Sequence, residues 1–166
     1  QRQGRSLEQV AFYRDFYRTK LRGFVDDTTQ LEGVANAYEE LGLYGHALNV
    51  QREVFTIHSQ QNIEDLPSLL HLVRLYVQTG RPQEALETTA YMRRIRGFQE
   101  SAAPVEIYEG RSYEALGRLS EAKSSYEKAS SNSAYRMEAV GRLALMNAAD
   151  DRCEEALPGL QELSTA

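Results

Sequence analysis

An all-helical chain of repeated antiparallel helix pairs is predicted by three observations: Tyr, Gly and Ala recur in constant phase, apolar residues fall three and four apart, and turn residues stand between these stretches. Ala37-Tyr38-Glu39-Glu40-Leu41-Gly42, Leu75-Tyr76-Val77-Gln78-Thr79-Gly80 and Ser112-Tyr113-Glu114-Ala115-Leu116-Gly117 each place Gly four residues after Tyr. Five residues after each Gly stands an alanine: Ala47, Ala85 and Ala122. A fourth copy ends in Glu-Glu-Ala-Leu at 154–157, with Asn147 in the Tyr position and Asp151 in the Gly position. Tyr38, Tyr76, Tyr113 and Asn147 are 38, 37 and 34 residues apart, and Ala47, Ala85, Ala122 and Ala156 repeat those intervals. Two anchors in one phase over four copies define a repeat, which a single residue type would not.

Residues 6–24 are expected to form a strongly aromatic helix (Phe12, Tyr13, Phe16, Tyr17, Leu21, Phe24), opened by the capping box Ser6-x-x-Gln9. It is either the closing helix of an upstream unit or a cap on the first full one. In the first unit Leu31, Val34, Ala35, Tyr38 and Leu41 share one helix face, and Leu69, Leu72, Val73 and Tyr76 do so in the second. Thr29-x-x-Glu32 reads as a second capping box, and Asp65, Ser120 and Asp151 read as N-caps. Pro82 suits a first helical turn, where a missing N–H costs nothing. Gly42, Gly80 and Gly117 end the first helices, because a tight reversal there calls for positive φ. The alanines let paired helices approach closely and the tyrosines fill the space beside them. At the far end Leu157, Leu160 and Leu163 make an apolar stripe with no later helix in the sequence to cover it.

On these residues the chain resembles the tetratricopeptide-repeat family, whose unit is a helix–turn–helix of about 34 residues. The resemblance covers roughly residues 28–166, as units at about 28–65, 66–102, 103–136 and 137–166, after an N-terminal helix within 1–27. It implies a right-handed superhelix of antiparallel helix pairs, an α-solenoid stabilised by stacking of neighbours. The first two units are longer than the family period, no Trp is present and no proline closes each unit. The extra residues are expected to lengthen the second helix or the connection between units, at 57–65 and 95–102.

Composition narrows the function classes. With 42% hydrophobic residues among 166, the chain can bury a sizeable core, and it lacks the low-complexity runs of disordered chains. Charges interrupt every hydrophobic run before the roughly 20 residues of a membrane span, so no direct membrane insertion is expected. Gln1 in place of Met reads as the start of a fragment of a longer protein. Compartment stays open, since cytoplasm and periplasm both tolerate a chain with the single cysteine Cys153. Net charge is +4 over residues 1–24, −7 over 25–90 and −2 over 91–166. That balance argues against nucleic acid, which selects clustered excess positive charge.

No catalytic, metal or cofactor site is expected. His46, His58 and His71 fall in different helical phases without companions at ligand spacing, and are read as surface or groove side chains. Cys153 stands among Asp150, Asp151, Glu154 and Glu155, which disfavour a thiolate. No Gly-rich phosphate loop or nucleophile elbow is present, and the adjacent acids are read as caps or solvated side chains.

The family resemblance implies a concave groove lined by first helices, with ligand contacts at fixed offsets from the signature Tyr. Carried onto this sequence, those offsets give Glu32, Asn36 and Glu39; Leu70, His71 and Arg74; Ile107, Tyr108, Arg111 and Glu114; and Arg142. The groove would be acidic at its N-terminal end, basic towards the middle, and apolar and aromatic between. Arg74, Tyr108 and Arg111 are the residue types that dominate interface energetics. Glu32 stands where a carboxylate-clamp domain carries Lys, which argues against capture of a partner's C-terminal carboxylate. The alternative is that these are ordinary exposed positions and that the convex face or the inter-unit loops bind instead.

The expected function is a non-enzymatic protein-interaction scaffold or adaptor that binds another protein or peptide segment. The alternative is a structural spacer in a multidomain protein, such as a bacterial envelope export or assembly protein, with uncovered repeat ends that would permit self-association. RNA recognition by a related repeat type is a distant third.

Overall fold

The computed structural model describes residues 7, 8, 10, 11, 28–149 and 153–165. Leu7, Glu8, Val10 and Ala11 are helical, while the aromatic positions of the expected N-terminal helix, the Ser6-x-x-Gln9 box and Asp151 lie outside the described residues. The chain divides into two compact units, Gln1–Thr79 and Gly80–Ala166. The first holds α1 (Thr28–Glu40), α2 (Tyr44–Gln60) and α3 (Leu66–Gln78). The second holds α4 (Pro82–Met92), a 3-10 helix (Phe98–Ser101), α5 (Ala102–Ala115), α6 (Leu119–Ser130), α7 (Arg136–Ala149) and α8 (Cys153–Thr165). No strand occurs among the described residues.

Helices pack on their sequence neighbours: α1 on α2 and α2 on α3 in the first unit, α4 on α5, α5 on α6, α6 on α7 and α7 on α8 in the second. The repeat anchors account for the geometry. Gly42, Gly80 and Gly117 have φ of +73°, +70° and +71°, a conformation open to glycine at little cost. After α1 the chain reverses as Gly42 N–H donates to Glu39 O (2.9 Å) and Leu43 N–H to Tyr38 O (2.9 Å). After α5, Gly117 and Arg118 repeat the two bonds to Glu114 O (2.9 Å) and Tyr113 O (2.8 Å).

Ala47, Ala85, Ala122 and Ala156 are all buried, as close approach of paired helices requires. In the first unit Leu31, Val34, Ala35, Val50 and Val54 form a core, with Tyr38 and Ile57 packed against it. In the second, Ile107, Ala122, Tyr126, Ala129 and Ala139 form one, flanked by Tyr113, Tyr135, Leu143 and Met146. Gln51, fully buried on α2, donates from Nε2 to Ser68 O (3.1 Å) and Ser68 Oγ (2.7 Å) in the first turn of α3.

Several local expectations are corrected. Helix α6 starts at Leu119 with Arg118 as its N-cap, so Ser120 lies inside the first turn; the residue after the left-handed glycine already holds the cap position. Thr29 likewise lies inside α1, which begins at Thr28. His58 is buried rather than exposed, with Nε2 3.0 Å from Thr28 Oγ1. Asp65 does cap α3, accepting from Ser68 N–H at 3.5 Å, and Pro82 opens α4.

The residues that lengthen the early repeats are ordered. Helix α2 runs to Gln60, and the segment before α5 folds as the 3-10 helix behind Gly97 (φ +88°), burying Ile95 and Phe98. Arg93 fastens that segment: its guanidinium lies 5.2 Å from the Phe98 ring centre and donates to Glu106 (2.8 Å) and Glu109 (2.7 Å). Both carboxylates are buried and hold the Arg93 guanidinium firmly protonated, the bond to Glu109 contributing most.

Candidate functional site

The positions assigned to partner binding form one cluster in each unit. In the first unit, α1 offers Glu32, Asn36 and Glu39 at steps of four and three residues, which puts them on one face. Across from them α3 carries Leu70, half-buried, with His71 and Arg74. The Glu39 carboxylate is the hub: one oxygen, Oε2, lies 3.0 Å from His71 Nε2 and accepts from Arg74 at 2.7 Å. Burial pushes the His71 imidazole below its ordinary value, and the Arg74 charge adds to the effect, while Glu39 and, more weakly, Glu32 oppose it. His71 is therefore neutral at pH 7.

Glu32 and Asn36 differ from these three. Among the described residues neither makes a hydrogen bond or an ion pair; Glu32 is half-buried and Asn36 exposed. His46, on α2, instead stacks on the ring of Tyr38 with centroids 5.3 Å apart.

In the second unit the cluster spans α5 and α7. Arg111 pairs with Glu138 and lies over the Tyr108 ring, 5.9 Å from its centre. Glu114 accepts a hydrogen bond from the hydroxyl of Tyr126 and lies 3.7 Å from Arg142. Burial raises the Tyr126 hydroxyl well above the ordinary tyrosine range, and the Glu114 carboxylate beside it adds to the effect. Ile107, expected to line the groove, is only 2% exposed and belongs to the core with Tyr126 and Ala122, so it offers no surface. Its neighbour Tyr108 is half-buried.

These contacts change the expected electrostatics. Arg74 and Arg111 are each bound to a glutamate from another first helix, so the basic middle is neutralised within the protein. The Nε atoms of both arginines are buried without a hydrogen-bond partner, so each guanidinium is held through its outer nitrogens.

Three side chains of these clusters are absent from the expected set, and only one of them lies at a repeat offset. Glu138 sits on α7 where only the need of Arg111 for a counter-charge would point to it. Tyr126 comes from a second helix and reaches Glu114 past Gly110. Leu145 stands two residues before Asn147, the offset at which Arg74 and Arg111 precede their tyrosines, and is 60% exposed. Applying that offset to the fourth unit would have found it.

No group of three or more His, Cys, Asp or Glu side chains among the described residues could hold a metal ion. No helix among them is long and apolar enough to cross a membrane. Open clefts lie between second helices: one is lined by Thr89, Arg93, Glu109, Tyr113 and Lys128, another by Lys123, Val140, Leu143, Asn147 and Glu155. Their charged groups are largely consumed in internal pairs, such as Arg93 with Glu109 and Lys123 with Glu155 (3.8 Å).

Comparison with known proteins agrees with the helical-repeat fold. Residues 109–134 match the family model described as a tetratricopeptide repeat. No curated protein matches the chain. Among solved structures, a double mutant of MamA from strain RS-1 has a TM-score of 0.77 at 16% identity, covering 99% of this chain and 86% of that one. MamA residues 41 to the end, from Desulfovibrio magneticus RS-1, gives 0.71 at 15% identity, covering 95% and 94%. YrrB, described as a TPR protein with an unusual peptide-binding site, gives 0.70 at 19% identity, covering 95% and 78%. At such identities the likeness is one of fold. Residues 109–134 thus match one tetratricopeptide repeat, and the chain shares the fold of MamA and YrrB, a TPR protein, along nearly its whole length.

Proposed function

We propose that this chain is a protein-interaction scaffold that binds partner polypeptide on first-helix faces, that of α1/α3 in the first unit and that of α5/α7 in the second, each taken by itself, and that it works by binding rather than by catalysis. One observation carries the reading. On faces the core does not use, side chains at repeat-related offsets are held in fixed positions by ion pairs between first helices, Glu39 with Arg74 and Arg111 with Glu138. Such side chains lose little entropy on binding, and Tyr108 and Leu145 beside them supply apolar area. The fold shared with YrrB, a TPR protein with an unusual peptide-binding site, supports the same reading.

The test is to select peptides from a displayed library on the full chain and titrate them against Tyr108→Ala/Leu145→Ser. Loss of affinity by about tenfold, roughly 1.4 kcal/mol, with unchanged helicity is expected. Equal affinity for wild type and variant would reject these faces.

A second reading, a structural spacer, is favoured by Leu157 and Leu160 on α8, which are 55% and 41% exposed. It predicts that Leu157→Lys/Leu160→Lys abolishes self-association in sedimentation; a wild type that is already monomeric counts against it.

A further inference from the structure

We propose that the α1/α3 face is selective for a basic partner segment, with Glu32 as the residue that receives its lysine or arginine side chain. The inference rests on the partner-binding reading above and names the chemistry of the ligand at one end of the face.

The face contains two carboxylates, and only one is free. Glu39 spends Oε2 on both His71 (3.0 Å) and Arg74 (2.7 Å), so its charge is balanced by the guanidinium. Glu32 has no hydrogen bond or ion pair among the described residues. Seven residues of helix separate the two, about 10 Å along the axis. A cation at Glu32 is thus about a Debye length from Arg74 at physiological salt, and Glu39, bound to Arg74, offsets what repulsion is left. Between them stands Asn36, exposed and uncharged.

His71 is the remaining group that could compete for Glu32. Burial and the neighbouring Arg74 keep its imidazole neutral at pH 7, so it leaves the Glu32 charge unmet. The surroundings reinforce the sign: residues 28–79 hold six Asp or Glu against two Arg. A half-buried, unmatched carboxylate in this acidic stretch of helices attracts cationic segments during encounter and penalises acidic ones. The α5/α7 face gives the contrast, since there Arg111 pairs with Glu138 and Arg142 lies by Glu114, leaving no such imbalance.

The test uses the full chain and three short fluorescein-labelled peptides that alternate Ala with Lys, Glu or Ser. The Lys peptide is expected to bind about tenfold more tightly than the Glu peptide. Glu32→Gln should weaken it about fivefold to tenfold, while Glu64→Gln, the same charge change at an exposed site before α3, should change it less than about twofold. Retained helicity and an unchanged urea midpoint show that both variants fold. Equal effects of the two substitutions, no effect of Glu32→Gln, or preference for the Glu peptide each overturn the assignment to Glu32. If none of the three peptides binds while library-selected peptides do, basic selectivity fails and the scaffold reading stands. If no selected peptide binds either, the scaffold reading itself fails.

Discussion

Replacing Gly110 by alanine reverses the usual effect of that substitution in a helix. Gly110 lies in the middle of α5, and an added Cβ would stand 2.5, 2.7 and 2.8 Å from Cε1, Cζ and Cδ1 of Tyr126. Carbon atoms in contact sit about 3.5–4.0 Å apart, so the overlap is about 1 Å. The ring has nowhere to go, since Tyr126 is fully buried among Ile107, Ala122, Ala129 and Ala139 and its hydroxyl is tied to Glu114. Overpacking of this kind costs about 1–3 kcal/mol, against a gain of about 1 kcal/mol from helix propensity. Gly33, in the middle of α1, has nothing within 4 Å of its added Cβ and serves as the control. Urea denaturation followed by circular dichroism should show Gly33→Ala stabilised by about 0.5–1 kcal/mol and Gly110→Ala destabilised by about 1–2 kcal/mol. Tyr126→Leu, which removes the ring, should abolish the penalty in the double mutant, giving a coupling of about 1–3 kcal/mol. A Gly110→Ala protein as stable as Gly33→Ala, or a coupling near zero, would refute the close approach of Tyr126 to α5.

Other expected outcomes follow from the buried charges. Arg93→Ala would strand Glu106 and Glu109 without their cation, costing about 2–3 kcal/mol in urea unfolding. That is below the usual cost for a buried pair because 37% of the Arg93 side chain faces water. His71 has a folded pKa below 6.5, so the unfolded chain takes up its proton first. Stability should therefore fall as pH drops below about 6.5, and His71→Gln should remove that part of the pH dependence of the urea midpoint. Tyr126 shifts the other way, so the unfolded chain ionises it first and stability declines as pH rises above about 10. Absorbance near the phenolate band, compared between wild type and Tyr126→Phe, should show that the substitution removes a component ionising at higher pH than an ordinary tyrosine.

What the sequence made legible was whatever depends on one residue's own shape. Gly42, Gly80 and Gly117 mark left-handed turns because few other residues take that backbone cheaply. Ala47, Ala85, Ala122 and Ala156 mark buried contacts because only a small side chain fits where helices touch. Caps were read less well: Ser120 looked like a start signal, yet the turn geometry set by Gly117 assigns that place to Arg118.

The candidate site was legible only in part, because a side chain's partner depends on reach across helices. Arg74 pairs backward to Glu39 and Arg111 forward to Glu138, although both stand two residues before an anchor tyrosine. No offset rule distinguishes the two directions. The offset puts Ile107 on the binding face, whereas its side chain is buried in the cluster with Ala122, Tyr126, Ala129 and Ala139.

The enclosed amide of Gln51 makes the seam between α2 and α3 particular about its occupant. An aliphatic core accepts any helix of suitable bulk, whereas this amide asks for an oxygen at one spot, and the opening turn of α3 supplies two. A foreign repeat spliced in after α2 would keep a main-chain oxygen at this place but lose the hydroxyl acceptor unless it carried serine, at a cost of about 0.5–1.5 kcal/mol. Exchange of repeats at this seam is therefore selective, and a chimera that carries a serine at the Ser68 position should be more stable than one that carries alanine.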